Sequence, residues 1–257
     1  MEYGNVLPKS TRVNPLPLPG APVCPYDSGS SARIRSTMTE SSQLFDAIRA
    51  GDAARVEALL STAPALATAS HDGVSAILLA LYHGHDGIAG SLARQAGELE
   101  FFEAAALGEG ERVTALLATD PSLAEATTPD GYRALGLAAF FGHEEVVALL
   151  ARWCDPDIPS RNAMRATPLH SAMATRRPDA AAGIARTLLA RGADPNRQQE
   201  GGWTPLHAAA QSGDPELVAL LLEHGADRAI VNDGGQTPLE LALTKEHIAV
   251  VALLQPL

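Results

Sequence analysis

Thr204-Pro205-Leu206-His207-Ala208-Ala209-Ala210, followed by Ser212 to Asp227 (SGDPELVALLLEHGAD), is the stretch whose reading decides the fold. Thr204 offers a hydroxyl that caps a helix start, and Pro205 sits where a missing N–H costs no bond. Leu206 and Ala209 point into a neighbour, while Ala208 to Ala210 keep the helix thin. Gly213 supplies the left-handed residue that ends it. Asp214 and Pro215 open a second helix in the same way, with Glu216 at its positive end. Leu217, Val218, Leu221 and Leu222 follow the three-four spacing of one buried face. Gly225 ends this helix, and Ala226-Asp227 lead into a hairpin closed at Asp233-Gly234-Gly235. The stretch predicts helices near 205–212 and 215–224.

The pattern recurs. Thr237-Pro238-Leu239-Glu240 lies 33 residues further on, and Thr167-Pro168-Leu169-His170 lies 37 residues before Thr204. The four extra residues fall near Arg176-Arg177-Pro178. Arg133-Ala134-Leu135-Gly136 and Ser75-Ala76-Ile77-Leu78 are degenerate copies. Self-similarity at a fixed period marks a stacked array. Burying one Leu contributes about 1.5–3 kcal/mol, and ordering the backbone costs about 1–2 kcal/mol per residue. A single unit therefore needs its neighbours to be stable. The N-terminal half has a longer period too. Phe45-Asp46-Ala47 through Leu60, then Pro64-Ala65-Leu66-Ala67, match Phe102-Glu103-Ala104 through Leu117, then Pro121-Ser122-Leu123-Ala124, 57 residues later.

TPLHAAA at 204–210, SGDPELVALLLEHGAD at 212–227 and the 33-residue period together resemble ankyrin repeats. The resemblance covers about 42–257, as about seven units starting near 42, 71, 98, 129, 163, 199 and 232. It implies an all-α ankyrin-repeat α-solenoid: stacked helix-turn-helix pairs with short β-hairpin tips. Two departures carry structural expectations. Trp153 stands where the left-handed glycine belongs, so the helix end there is altered. Gly87 and Gly90 fall within the second helix of the unit at 71–97, each costing about 1 kcal/mol relative to Ala. That unit also reaches the next with no room for a full hairpin, so it is expected to be the loosest joint.

Composition agrees with thin, closely packed helices. Of 257 residues, 46% are hydrophobic but only 4% aromatic, so Ala, Leu and Val must build the core. The net charge is −11, which argues against a nucleic-acid backbone or an anionic membrane as partner. No run of about 18 apolar residues exists to span a bilayer. Cys24 and Cys154 make neither a disulfide framework nor a zinc site, and a reducing cytoplasm is the expected location. Lys is confined to Lys9 and Lys245 while Arg and Ala abound, a bias of GC-rich bacterial genomes.

Residues 1–41 read differently. Pro8, Pro15, Pro17, Pro19, Pro22 and Pro25 precede Ser28-Gly29-Ser30-Ser31, with no apolar periodicity. The expectation is a disordered tail. Either the natural start is Met38, or the tail is a linear docking segment.

Candidate chemistry dissolves into the repeat. His83-Gly84-His85 with His143 suggests a metal, but His85 and His143 hold equivalent positions. If each unit adds roughly 10 Å, as the resemblance implies, they stand too far apart to share a zinc ion. His170 and His207 occupy a position that, by the resemblance, hydrogen-bonds between units. Cys154 aligns with a structural Ala, and Gly201-Gly202 and Gly234-Gly235 are hairpin turns rather than a phosphate cradle. The expectations are no enzyme activity, no metal and no cofactor.

The resemblance implies recognition by hairpin tips and the solvent side of the first helices. Trp203 and Tyr132 precede the first helix of their units. Phe140-Phe141, Tyr82-His83 and Gln211 fall just before the glycine that follows it. Aromatics are over-represented among binding hot spots. These residues, with Arg176 and Arg177 in the insertion, are the candidate contacts for a protein partner. The expected role is a monomeric adaptor or inhibitor, and the alternative is a regulatory subunit of a separately encoded enzyme, toxin or effector.

Overall fold

A computed structural model describes residues 39–255. Its fourteen α-helices fall into seven consecutive pairs: α1 (Glu40–Ala50) with α2 (Ala53–Thr62), α3 (Ala76–Tyr82) with α4 (Asp86–Ala96), α5 (Phe101–Leu107) with α6 (Gly110–Thr119), α7 (Ala134–Phe140) with α8 (Glu144–Leu150), α9 (Pro168–Met173) with α10 (Pro178–Ala190), α11 (Pro205–Ser212) with α12 (Pro215–Glu223), and α13 (Pro238–Thr244) with α14 (Ile248–Leu254). The first helices of successive pairs pack in an unbroken row from α1 to α13. The second helices form an outer row that is thin at one place, where α4 and α6 barely touch. Among the described residues the only paired strands are β1 (Ser70–His71) and β2 (Val74–Ser75). This is the all-α solenoid that the repeats predict.

The local signals act as read. Thr204 accepts from the His207 N–H, and Asp214 accepts from Glu216 and Leu217 at 3.0 and 3.1 Å. Gly213 takes φ +76°. On α12 the fully buried residues are Leu217, Val218, Leu220 and Leu221, so Leu220 replaces the expected Leu222, which is half-buried. Leu220 turns inward because a further helix pair covers that flank. At Trp153 the altered end is real: α8 stops at Leu150, and Trp153 lies 49% exposed without entering the left-handed region.

The 57-residue period is also structural. A 3-10 turn at Pro64–Thr68 follows α2, and another at Pro121–Glu125 follows α6. The β1–β2 pairing Ser70↔Ser75 has its counterpart in the bridge Thr127↔Arg133. Hairpin fingers precede α3, α7, α9, α11 and α13, and most join their neighbours: Arg161 N–H to Gly131 O at 2.8 Å, Glu200 N–H to Met164 O at 3.0 Å, Asp233 N–H to Gly201 O at 2.8 Å. The third pair has no finger, since α4 ends at Ala96 and α5 begins at Phe101. The fingers on either side close over the gap: a β-carbon on Gly73 would lie 2.6 Å from Pro129 Cγ.

The boundary expected at residue 42 moves. α1 begins at Glu40 with Thr39 as its cap, accepting from the Ser42 N–H at 3.2 Å. The expected disordered tail, including Cys24 and its prolines, otherwise lies outside the described residues.

Candidate protein-binding face

Backbone hydrogen bonds place the two pre-helix aromatics. The finger before α7 closes through Thr128 N–H to Tyr132 O at 2.8 Å, and the one before α11 through Gln199 N–H to Trp203 O at 2.9 Å. The Trp203 carbonyl also accepts from His170 Nε2 at 3.0 Å, while His170 Nδ1 lies 2.8 Å from the Thr167 hydroxyl. His207 repeats the pattern with the Gln236 carbonyl and the Thr204 hydroxyl. Each buried imidazole thus fixes where the next unit's finger ends. It acts as a neutral linker: burial pushes His170 down to about 4, backbone acceptors notwithstanding, and lowers His207 too. A second series joins the loop after a first helix to the preceding unit. His143 Nε2 lies 2.8 Å from Ala106 O, and His247 Nε2 lies 3.0 Å from Gln211 O. Burial lowers the His143 pKa as well.

Trp203 is half-buried, with its ring 5.8 Å from that of His207. The other aromatics converge on each other. Tyr82 from the second pair meets Tyr132 at 6.2 Å and stacks with Phe141 at 6.3 Å, and Phe140 meets Phe141 edge-on at 5.2 Å. Phe141 was expected at the surface and is instead core, 5% exposed. The cause lies in the third pair. Ala104, Ala105 and Ala106 give α5 little bulk, and without a finger nothing holds the second and fourth pairs apart. Tyr82, Tyr132 and Phe140 remain half-buried and wall a narrow cleft over α7 and α9 with about 20 Å³ of free space. Gly136, Leu137 and Ala174 also line it.

The remaining candidates separate. His83 is half-buried and stacks on His85 at 6.1 Å. Gln211 is half-buried, and its carbonyl serves His247. Arg176, expected as a docking contact, stays exposed but is tied to the second and fourth pairs. Its N–H donates to Phe140 O at 2.8 Å, its Nη1 donates to Leu81 O and Asp86 Oδ1 at 3.0 Å each, and its guanidinium lies over the Phe141 ring. Arg177 stays exposed, although its stem crowds Gly142. Sequence reasoning missed Gln199, which lines the groove and whose Oε1 has no hydrogen-bond donor among the described residues. The two-residue offset from the finger-closing Gly201 was the only available signal.

Cys154 is buried against the Ala124 carbonyl at 3.3 Å, and burial raises its thiol to about 11, far from a working thiolate. Among the described residues no group of three His, Cys, Asp or Glu is placed to hold a metal, and no helix is long and apolar enough to cross a membrane.

A profile of three ankyrin repeats matches residues 101–199 and 179–256, more than half of the chain. The chain belongs to the ankyrin-repeat family. Ankyrin repeats are protein–protein interaction modules, and the fingers and first helices described above form the ankyrin scaffold of this one. The chain is also 44% identical over 81 residues to the E3 ubiquitin-protein ligase XB3 of Oryza sativa subsp. japonica. That stretch is 31% of this chain and 18% of the relative, so the chain spans less than a fifth of the ligase.

Proposed function

We propose that this ankyrin array binds one protein partner on the face formed by its fingers and first helices, acting as an adaptor or inhibitor with no catalytic step of its own. The observation that carries this reading is the aromatic groove of Tyr82, Tyr132 and Phe140, continued by Trp203 on the next finger but one. The rings of Tyr132 and Trp203, on hydrogen-bonded fingers, and of Tyr82 and Phe140, at helix ends, lose little freedom on contact, and a hot-spot ring is worth about 2 kcal/mol or more. The neutral His170 and His207 and the high-pKa Cys154 support a structural use of these three groups. The acidic body favours a basic partner surface. The array is read as a cytoplasmic monomer, and α1 to α4, outside the family match, as two degenerate units of the same kind.

The test is affinity purification from the source organism with the native chain, Trp203→Ala and Tyr132→Ala, each paired with a thermal melt. A partner retained by the native chain and lost from both variants, at melts lowered less than for Leu206→Ala, supports the reading. Retention by both variants places the contact elsewhere. The ligase relative motivates a second reading, a recognition subunit for a separately encoded enzyme, which predicts that the retained partner is that enzyme.

A further inference from the structure

Three fingers donate to the finger before them, and each donor directly follows the residue whose N–H closes its own finger: Arg161 after Ser160, Glu200 after Gln199, Asp233 after Asn232. In the finger of the fourth pair the closing residue is Thr128, and the next is Pro129, which has no N–H to give. Its ring rests instead against Gly73 in the finger of the second pair. The two fingers thus form an arch at the place where the third pair has none. Beneath it lies a chamber with about 400 Å³ of free space, open to solvent and within the size range of ligand sites. Leu78 and Phe102 supply apolar lining, and the charged residues that line it are all acidic: Glu98, Glu100 and Glu103. Glu98 is shared with Arg112 at 3.4 Å. Glu103 is only 5% exposed. Its Oε2 accepts from the Glu100 N–H at 2.9 Å, and its other carboxylate oxygen has no donor among the described residues. A carboxylate buried this deeply with one hydrogen bond calls for a cation or further donors.

We infer that this chamber receives an arginine side chain of the partner protein. The inference deepens the binding function proposed above and rests on it only for where the arginine comes from. Among the described residues no group of three acidic side chains is placed to share a metal ion, so an organic cation is the better occupant. A guanidinium carries five N–H donors in a planar fork that suits carboxylates, and it gives up its hydration more readily than an ammonium. Glu100 and Glu103 stand three residues apart at the start of α5, and each carboxylate already accepts one backbone N–H from the other residue. The guanidinium takes up the acceptor sites left over. Its methylene stem covers Leu78 and Phe102. Charge favours the encounter as well, since the chain carries −11 and the three carboxylates concentrate part of it at one opening.

The experiment uses the full chain and needs no partner. N-acetyl-arginine amide is titrated in while backbone amide signals are followed by NMR, with the uncharged N-acetyl-citrulline amide as control. A probe of about 15 non-hydrogen atoms should half-saturate at about 1 mM. The expected result is saturable shifts at amides of residues 68–75 and 98–103, absent with the citrulline control. Binding should weaken about tenfold or more in Glu103→Gln, which keeps the helix cap because Gln serves there as Glu does. Ser70→Trp, whose ring would fill the chamber without removing a carboxylate, should weaken it likewise and decides the matter if Glu103→Gln fails to fold. Shifts that do not saturate, that spread evenly over the acidic surface, that citrulline reproduces or that survive both variants overturn the inference. Equal affinity for N-acetyl-lysine amide overturns the assignment to arginine. If the probe fails to bind while Trp203→Ala and Tyr132→Ala still lose the partner, the inference falls and the binding reading stands. If it binds while both variants retain the partner, the chamber stands and the aromatic face falls.

Discussion

Arg176 Nη1 stands 3.0 Å from Asp86 Oδ1, joining the fifth helix pair to the second across ninety residues of chain. The same nitrogen donates to the Leu81 carbonyl at the end of α3. The two bonds differ in worth. The Asp86 side chain is 70% exposed, so Asp86→Asn should change the unfolding free energy by less than about 1 kcal/mol. Arg176→Ala leaves the Leu81 carbonyl without this donor and uncovers Phe141, and should cost about 1–3 kcal/mol. Urea denaturation of both variants measures this. Equal losses would mean that the ion pair, not the carbonyl, holds the clamp.

Gly108 and His143 interlock in the same way between adjacent pairs. Gly108 has φ +85°, and a β-carbon there would collide with the His143 ring that reaches the Ala106 carbonyl. Gly225 has the same φ but open space around it. Left-handed strain alone costs about 1–2 kcal/mol. Gly225→Ala should cost that much, and Gly108→Ala clearly more, through the displaced imidazole. Paired denaturation curves with indistinguishable midpoint shifts would refute the interlock.

Acid should weaken the array before its carboxylates titrate. His170 has its pKa lowered by burial to about 4, against 6.5 in the unfolded chain. Its folded form resists protonation, so its contribution is fully present above pH 6.5 and is lost as pH falls towards 4. By pH 5 the loss is about 2 kcal/mol. His207, lowered in the same direction, adds to it. Denaturation at pH 7.5 and pH 5 checks this, and unchanged stability over that window would show that the imidazole is not buried neutral.

Protection from hydrogen exchange should vary along the solenoid. α11 and α12 have both caps, both N-terminal prolines and packed neighbours on each side. α4 contains Gly87 and Gly90, lacks a following finger and barely touches α6. Amides of 86–96 should exchange fastest among the interior helices and those of 206–223 slowest. Uniform protection would mean that the array opens as one unit.

The sequence by itself determined the repeat, the helix pairing and, in the unit at 199–231, where both helices start and stop. Those features follow from local chemistry: Thr204 and Asp214 cap, Pro205 and Pro215 start, and Gly213 stops, whatever lies beyond. The 57-residue duplication was equally legible, and the structure adds a 3-10 turn at the matching place in each copy. The tertiary structure alone decided what the aromatics do. Tyr82, Tyr132 and Phe141 are up to 59 residues apart, and each reads as a surface position within its own unit. They meet because a slender, fingerless third pair lets the second and fourth close together. The same closure brings Arg176 to Leu81, so that an exposed residue expected as a docking contact also clamps the fifth pair to the second. Local patterns encode helices residue by residue, but the distance between units depends on the summed bulk of everything packed between them, and no single repeat records that sum.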